Sequence, residues 1–261
     1  MRGPRSCICV AIDDGGLRRR VQRSLVGLAN EMRHIDGIAE PGKLRRSGDE
    51  QLVIILGSRI GGRDLTPTAV HGLRAVEPLV PIIVCLPARH PLQRRLSELA
   101  QAGADRVLTL DAPDEEADLR RDVREALRHI LPAVDLGVDA SILTRGVAVQ
   151  LYCARNGYLR LRVQLLANRF DVGRAAILHA AKAGGWRDAE SLIRVSRVLH
   201  EALELERSSV GASVIAKSLH FGTPSAVHHH VKRATRRTLA QFKFEGALKI
   251  AAELWRRRGL D

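Results

Sequence analysis

Apolar residues in the first 132 positions follow two alternating patterns. Short continuous apolar runs, such as residues 7–12, 51–57 and 78–86, are typical of buried strands. Between them, apolar residues recur every three or four positions, as in the helix expected at 17–29. Strands rich in Val and Ile that alternate with helices predict a parallel sheet covered on both faces. We therefore expect a five-stranded, doubly wound α/β domain over residues 1–132.

The boundaries of these elements follow from turn and capping residues. Thr66 before Pro67 predicts a helix start, and Gly103 predicts a helix end. The GSRIGG segment at 57–62 lacks the spacing of phosphate-binding glycine loops, so it predicts a flexible strand-to-helix connection. The predicted strands are 7–12, 33–39, 51–57, 78–86 and 105–110, and the predicted helices are 17–29, 65–76, 91–103 and 115–131.

The pattern changes after residue 132. Residues 133–140 are typical of a linker, and 141–261 contain only helical patterns, which predicts a separate all-α domain. The predicted helices include 141–154, 158–170, 172–183 and 188–206. The last begins after the candidate cap Asp188 and has apolar residues on more than one side, so we expect it to pack on two faces.

A helix-turn-helix is predicted at about 213–235. Its first helix has Ile215, Ala216 and Leu219 as apolar positions. Gly222 lies in the turn, where a positive φ is often needed, and Thr223 followed by Pro224 predicts the start of the second helix. In such a motif the second helix enters the major groove of DNA.

The distribution of charge along the chain indicates the type of partner that the C-terminal half binds. The formal net charge is +13, with 21 basic and 19 acidic residues in 1–135 but 21 basic and 10 acidic in 136–261. No acidic residue lies between 207 and 244. Such an excess predicts a polyanionic partner for the C-terminal half.

The predicted second helix concentrates this charge. Because Val227 and Val231 form its buried stripe, polar and basic side chains lie on the outward arc, as binding to phosphates and base edges requires. A solvated helix face is the alternative, but such a face usually mixes charges of both signs. The candidate DNA-binding residues are Lys217, Thr223, Ser225, His228, His229, Lys232, Arg233, Arg236 and Arg237.

Residues 1–132 resemble the receiver domain of bacterial response regulators, the CheY-like fold, in VAIDDG after the first strand, AGADRVLTL into the last strand, and element order. The resemblance implies that Asp13 and Asp14 match the acidic pair that helps hold Mg²⁺ beside the phosphoacceptor aspartate. Leu56 or Gly57 occupies the acceptor position. Pro87 and Leu110 occupy the family's Thr or Ser and Lys positions.

These replacements change the expected chemistry. Phosphoryl transfer to a receiver needs a carboxylate nucleophile, a metal and a neutralising cation, and no Asp lies between 51 and 63. Asp13 and Asp14 could retain weak metal binding, but we favour two loop carboxylates stabilised near a helix N-terminus. The resemblance also implies dimerisation or partner docking through the surface around 91–131.

Residues 215–242 resemble the second helix-turn-helix of AraC-type transcription regulators, in Ile215–Ala216, Phe221–Ser225, Val231–Arg233 and Gln241–Phe242. The sequence departs from the family's aromatic residues at Ala226, Val227 and Val231 and from its glycine near Arg236. Family members carry two such motifs joined by a long helix. Here 188–206 matches the joining helix, and 171–187 is a candidate for a degenerate first motif.

Other classes are disfavoured. No apolar stretch is long enough to span a bilayer, and Asp13 and Asp14 end the first apolar run too early for a signal peptide. Four scattered cysteines predict neither a disulfide framework nor a zinc site, and a reducing cytoplasm fits them. Consecutive His228, His229 and His230 point about 100° apart on a helix, so they cannot share one metal. No cofactor is predicted.

The sequence thus predicts a bacterial, cytoplasmic, sequence-specific DNA-binding transcription regulator that is not an enzyme. The expected partners are double-stranded DNA, a second copy in a homodimer, and RNA polymerase or another regulator, with no membrane. One alternative is a small-molecule sensor or enzyme that uses the carboxyl ends of the α/β strands. Another is a non-specific nucleoid-associated protein.

Overall fold

The computed structural model describes residues 5–36, 50–87, 92–111, 113–132, 135–139, 144–207 and 211–259. They form two compact units, and the division falls after residue 133. The first unit contains a five-stranded parallel sheet of β1 (Ser6–Ala11), β2 (Glu31–His34), β3 (Gln51–Leu56), β6 (Ile82–Leu86) and β7 (Arg106–Thr109). Its helices are α1 (Gly15–Leu25), α2 (Pro67–Val76), α3 (Leu92–Gln101) and α4 (Pro113–His129).

The strand order in this sheet is β2-β1-β3-β6-β7, with every neighbouring pair parallel. This is the flavodoxin-like order of doubly wound folds. Alternate residues of β1 enter two separate cores: Cys7 and Cys9 pack with α2 and α3, whereas Ile8 and Val10 pack with α1 and α4. The predicted doubly wound fold with helices on both faces is therefore confirmed.

Two local predictions in this unit are wrong. Residues 57–62 connect β3 to α2 but are not simply a flexible connection, because β4 (Arg59–Ile60) and β5 (Arg63–Asp64) pair there as an antiparallel hairpin. Gly61 and Gly62 form its turn with positive φ angles. The second strand is Glu31–His34 rather than 33–39, and residues 37–39 lie outside the described part of the chain.

The described part of the second unit is helical, as predicted. Its helices are α5 (Arg145–Asn156), α6 (Val163–Phe170), α7 (Arg174–Ala183), α8 (Ala189–Arg207), α9 (Ala212–Ser218), α10 (Pro224–Thr235), α11 (Leu239–Phe244) and α12 (Ala247–Arg256). The long helix α8 packs against α5, α10 and α12. It is buried on several faces, and the Asp188 carboxylate accepts from the Ser191 N–H at its start.

The helices expected at 141–154 and 158–170 begin later than predicted. Thr144 caps α5, and residues 141–143 lie outside the described chain. Helix α6 starts only at Val163, because Arg162 has an extended backbone. The hydrophobic spacing could not reveal this break, because Tyr158 and Leu161 are buried although neither is helical.

Within the predicted linker 133–140, the structure describes residues 135–139. Residues 135–139 belong to the second unit. Leu136 is buried. The Gly137 carbonyl accepts a hydrogen bond from Arg258 at 3.2 Å. These contacts pack residues 135–139 within the second unit.

Candidate nucleic-acid interface

The predicted helix-turn-helix is present as α9 and α10. The Thr223 hydroxyl accepts from the Ala226 N–H at 3.2 Å, and Pro224 occupies the first turn of α10, as predicted. Val227 and Val231 are fully buried and fix which side of α10 faces the protein. The close packing of α9 against α10 agrees with the small side chain of Ala216.

The opposite side of α10 is here called the α10 face and consists of five exposed residues: Ser225, His228, His229, Lys232 and Arg233. Within the described chain, no carboxylate forms an ion pair with Lys232 or Arg233. Since both charges are exposed and uncompensated, this face can bind phosphates through the cations. It can also reach base edges through the imidazole and hydroxyl groups.

The other candidate residues lie outside this face. Lys217 is exposed on α9, and the Thr223 hydroxyl already caps α10. Arg236 is not on the helix, because α10 ends at Thr235 and Arg236 has a φ of 59°. This left-handed backbone explains why a glycine suits the position. Arg237 pairs with Glu245 at 2.7 Å, so its charge is compensated.

The left-handed residue of the turn is not the predicted one. His220 has a φ of 55°, whereas Gly222 has no positive φ. The His220 carbonyl accepts two hydrogen bonds from Arg160, at 2.9 and 3.2 Å. A longer-range contact therefore stabilises the backbone at His220, and local sequence rules do not include such contacts.

A buried pair links α10 to α8. His230 Nδ1 lies 2.8 Å from Glu201 Oε1, and Glu201 is fully buried. Burial raises the pKa of Glu201, and the contact with His230 opposes that rise. The sequence indicated that His230 borders the core but did not indicate its partner. A charged residue within the apolar pattern of α8 was the only available signal.

A cation–π contact also connects α8 to the turn between α9 and α10. The Arg197 guanidinium lies 3.8 Å from the centroid of the Phe221 ring, and Arg197 donates to the Leu219 carbonyl. The Phe221 ring in turn lies 5.5 Å from His230. Helix α8 thus contacts both the turn and α10, so the orientation of the α10 face depends on α8.

A second helix pair precedes α8. Helices α6 and α7 pack together and are joined by a three-residue turn in which Asp171 has a φ of 51°. The candidate first motif at 171–187 contains α7 of this pair, whereas α6 ends at Phe170. The exposed residues of α7 include Arg174, His179 and Lys182.

In the first unit, both predicted metal-site carboxylates have structural partners. Asp13 accepts from the Gly61 and Gly62 N–H groups at 2.9 and 2.7 Å, which stabilises the β4–β5 hairpin. Asp14 caps α1 by accepting from the Leu17 N–H at 2.7 Å. These contacts agree with the favoured interpretation of two loop carboxylates near a helix N-terminus.

The two positions at which a phosphoacceptor is expected are Leu56, which is fully buried at the end of β3, and Gly57. A Cβ atom at Gly57 would lie 2.9 Å from Ile12 Cγ2, which is too close for a side chain. Leu110 is buried at the end of β7. Any side chain at position 57 would therefore require Ile12 to shift.

A cleft of about 690 Å³ lies beside the carboxyl ends of these strands, where ligands of doubly wound folds bind. Within it, Arg20 donates to the Leu110 and Asp111 carbonyls and pairs with Glu116 at 3.3 Å. The lining residues are Asp14, Gly16, Leu17, Arg19, Arg20, Gln22, Arg23, Val26, Pro87, Leu110 and Asp111. Among the residues that the structure describes, this lining contains no Ser, Cys, His or Lys side chain.

Within the described chain, one group of side chains has metal-ligand spacing: Cys7, Glu31 and Glu50, whose ligand atoms lie within 4.8 Å of one another. Arg33 pairs with Glu31 at 2.7 Å and with Glu50 at 2.6 Å. The guanidinium therefore already supplies the positive charge. Among the described helices, none is long and apolar enough to cross a membrane.

No family model matches the sequence, and no curated protein matches it either. Among solved structures, the chain is similar to the signal receiver domain of an HD domain-containing protein from Pseudomonas fluorescens Pf-5, with 18% identity and a TM-score of 0.40. That match covers 49% of this chain and 91% of the other.

Two matches extend over both units. Full-length FixJ from B. japonicum is 16% identical with a TM-score of 0.41, covering 91% of this chain and 100% of FixJ. RcsB from Salmonella enterica serovar Typhimurium, bound to a promoter, is 16% identical with a TM-score of 0.35, covering 97% and 98%. These values describe a loose similarity of fold.

Proposed function

We propose that this protein is a sequence-specific, DNA-binding transcription regulator of the bacterial cytoplasm and that α10 enters the major groove. The α10 face carries the proposal. Its cations are exposed and uncompensated within the described chain, while Val227 and Val231 hold the opposite side in the core. This combination supports base and phosphate contacts from one rigid helix.

The order of the helices supports an AraC-type arrangement. A short helix pair precedes α8 (α6 and α7) and another follows it (α9 and α10). Both second helices expose cations, including Arg174 on α7 and Lys232 on α10. We infer that both pairs contact DNA.

We further propose that the first unit acts without phosphorylation, as a dimerisation or partner-docking domain. The packing of Ile12 against Gly57 and the hydrogen bonds of Asp13 support this view. After treatment with acetyl phosphate and Mg²⁺, we expect no phosphoryl adduct by intact mass and no change in DNA affinity. A stable adduct on the first unit would overturn this part of the proposal.

Site selection from randomised duplexes, followed by binding over a salt series, tests the main proposal. Lys232→Ala and Arg233→Ala should each weaken binding and reduce the salt slope by about one unit, because each removes one phosphate contact. Lys249→Ala, an exposed cation of α12, is the matched control. If both α10 variants kept the wild-type dependence of DNA affinity on salt, the proposal that α10 binds DNA would be contradicted.

Specificity needs a separate measurement. Ser225→Ala and His228→Ala should change the selected sequence more than the overall affinity, because base contacts specify and phosphate contacts position. A non-specific nucleoid-associated protein would instead select no discrete site and would give no footprint. That result would favour a non-specific nucleoid-associated protein over a transcription regulator.

A further inference from the structure

A second cleft, with a volume of about 520 Å³, lies within the C-terminal unit between α6, α7, α8 and α10. Its size falls in the range of small-molecule sites. The residues around it are Leu161, Arg162, Val163, Gln164, Arg174, Glu190, Ile193, Arg194, Arg197, His230 and Arg233. Most of these residues lie on α6, α7 and α8, so the cleft extends beyond the DNA-binding surface proposed for the α10 face.

The cleft has an apolar part. Leu161 and Val163 are buried beside it, and Ile193 of α8 is half-buried. Contact with phosphate groups alone would require only cations and hydrogen-bond donors. Apolar side chains at this position instead favour a ligand that has a hydrocarbon or aromatic part.

The remainder of the lining is strongly cationic. Five arginines face a single carboxylate, that of Glu190. Within the described chain, no carboxylate forms an ion pair with Arg162, Arg174 or Arg194. Arg197 Nε is buried without a hydrogen-bond partner there, and burial lowers the pKa of Arg197. A bound anion would supply the missing acceptor.

We propose that this cleft binds a small organic carboxylate, with its carboxylate on the α8 arginines and its apolar part against Leu161, Val163 and Ile193. Because Arg233 and His230 of α10 also line the cleft, the ligand would act as an effector of DNA binding. Only this effect on DNA rests on the proposed function. Binding of the carboxylate itself does not.

Calorimetric titration of the full-length protein without DNA tests the site directly. The probes are naphthoate and decanoate, with naphthylmethanol as the uncharged analogue and inorganic phosphate as the head group alone. At least one carboxylate should bind at least about tenfold more tightly than either control, because a charge-assisted contact is added to apolar burial. Equal binding of phosphate or of the alcohol, or no carboxylate binding, would overturn the proposal.

Variants then locate the binding site. Arg194→Gln should raise the carboxylate's apparent Kd about tenfold, while Lys249→Gln should not change it. Arg162→Gln, at an exposed position, gives a second test if Arg194→Gln lowers the thermal unfolding temperature. If neither cleft variant changed the affinity for the carboxylate, the proposal that the carboxylate binds in this cleft would be overturned.

A DNA titration separates the two proposals. Carboxylate at saturation should change the Kd for a selected duplex at least about threefold in wild type but not in Arg194→Gln. If the carboxylate binds but the protein selects no DNA, the proposed function fails while the site stands. If Arg194→Gln reduces the DNA salt slope and no carboxylate binds, the cleft contacts the DNA backbone and the ligand proposal is wrong.

Discussion

At the residue scale, the pair of Glu201 and His230 shows how a buried polar contact connects two helices, α8 and α10. The carboxyl group of Glu201 is fully buried on α8, and the imidazole of His230 lies 2.8 Å away on α10. Removing one member of a buried pair leaves the other without its partner, which costs more than removing both.

His230→Ala should therefore lower the free energy of unfolding by about 1–3 kcal/mol. Adding Glu201→Gln should restore part of that loss, because the amide carries no charge. Urea denaturation at pH 7 measures both effects, with the exposed His228→Ala as the matched control. Equal losses for His228→Ala and His230→Ala would contradict a structural role for the pair.

A second histidine, His200, is buried and predicts that the free energy of unfolding depends on pH. His200 donates from Nε2 to the Ala154 carbonyl at 2.8 Å, and burial lowers its pKa from 6.5 to about 4. The unfolded chain therefore binds a proton below pH 6.5 that the folded chain binds only near pH 4. The resulting stability is present above pH 6.5 and is lost as the pH falls from 6.5 to 4.

Between pH 7 and pH 4, this group should account for a loss of roughly 3 kcal/mol in unfolding free energy. Urea denaturation across that range should show a smaller acid-induced loss for His200→Gln than for wild type. His179→Gln, an exposed histidine of α7, should follow the wild-type curve. Parallel curves for all three proteins would rule out a neutral, buried His200.

At the element scale, the turn between α9 and α10 determines where the α10 face lies. Its left-handed residue is His220, and the Phe221 N–H donates to the Ala216 carbonyl at 2.7 Å. A Cβ atom built on Gly222 would meet nothing within 4 Å. The backbone strain of the turn therefore belongs to His220 and not to its glycine.

This assignment predicts different changes in stability for substitutions at His220 and Gly222. His220→Gly should raise the free energy of unfolding by about 0.5–1 kcal/mol, because glycine adopts a positive φ without steric cost. Gly222→Ala should change it by less than about 0.5 kcal/mol. Thermal unfolding of His220→Gly and Gly222→Ala measures both changes in stability. A clear loss for Gly222→Ala with no gain for His220→Gly would move the strained position to Gly222.

At the scale of the whole molecule, the boundary between the two units determines which fragments fold. Residues 135–139 belong to the second unit, where Leu136 is 4% exposed and Gly137 accepts from Arg258. Arg258 also lies over the ring of Trp186, at 5.7 Å from its centroid. This short segment therefore forms part of the core of the second unit.

A fragment of residues 134–261 should be more stable than a fragment of 144–261 by about 1.5–3 kcal/mol, the contribution of one buried leucine. Leu136→Ala in the longer fragment should remove most of that difference. Denaturation of the three fragments measures it. Equal stability of the two lengths would show that 135–139 contributes nothing to the second unit.

The same fragments test pairing through the first unit. We expect the full chain to sediment as a dimer and to bind DNA more tightly than the 134–261 fragment, because two linked DNA contacts raise the effective concentration. Identical monomeric sedimentation of the full chain and the fragment would contradict dimerisation by the first unit.

The sequence by itself determined the features that depend on local patterns. Continuous apolar runs predicted the sheet, and the apolar spacing along α10 predicted that Val227 and Val231 are buried. Thr66, Thr223 and their following prolines predicted two helix starts. These signals succeed because hydrophobic burial and capping act on residues close together in the chain. The same spacing explains why the residues of the α10 face are exposed.

The tertiary structure alone decided what depends on distant residues. The packing of Ile12 against Gly57, the pairing of Glu201 with His230 and the arginine-lined cleft each join segments far apart in the chain. The turn of the β4–β5 hairpin donates hydrogen bonds to the carboxylate of Asp13, 48 residues before Gly61. No local periodicity carries such information, because burial and charge compensation are set by the residues that the fold brings together.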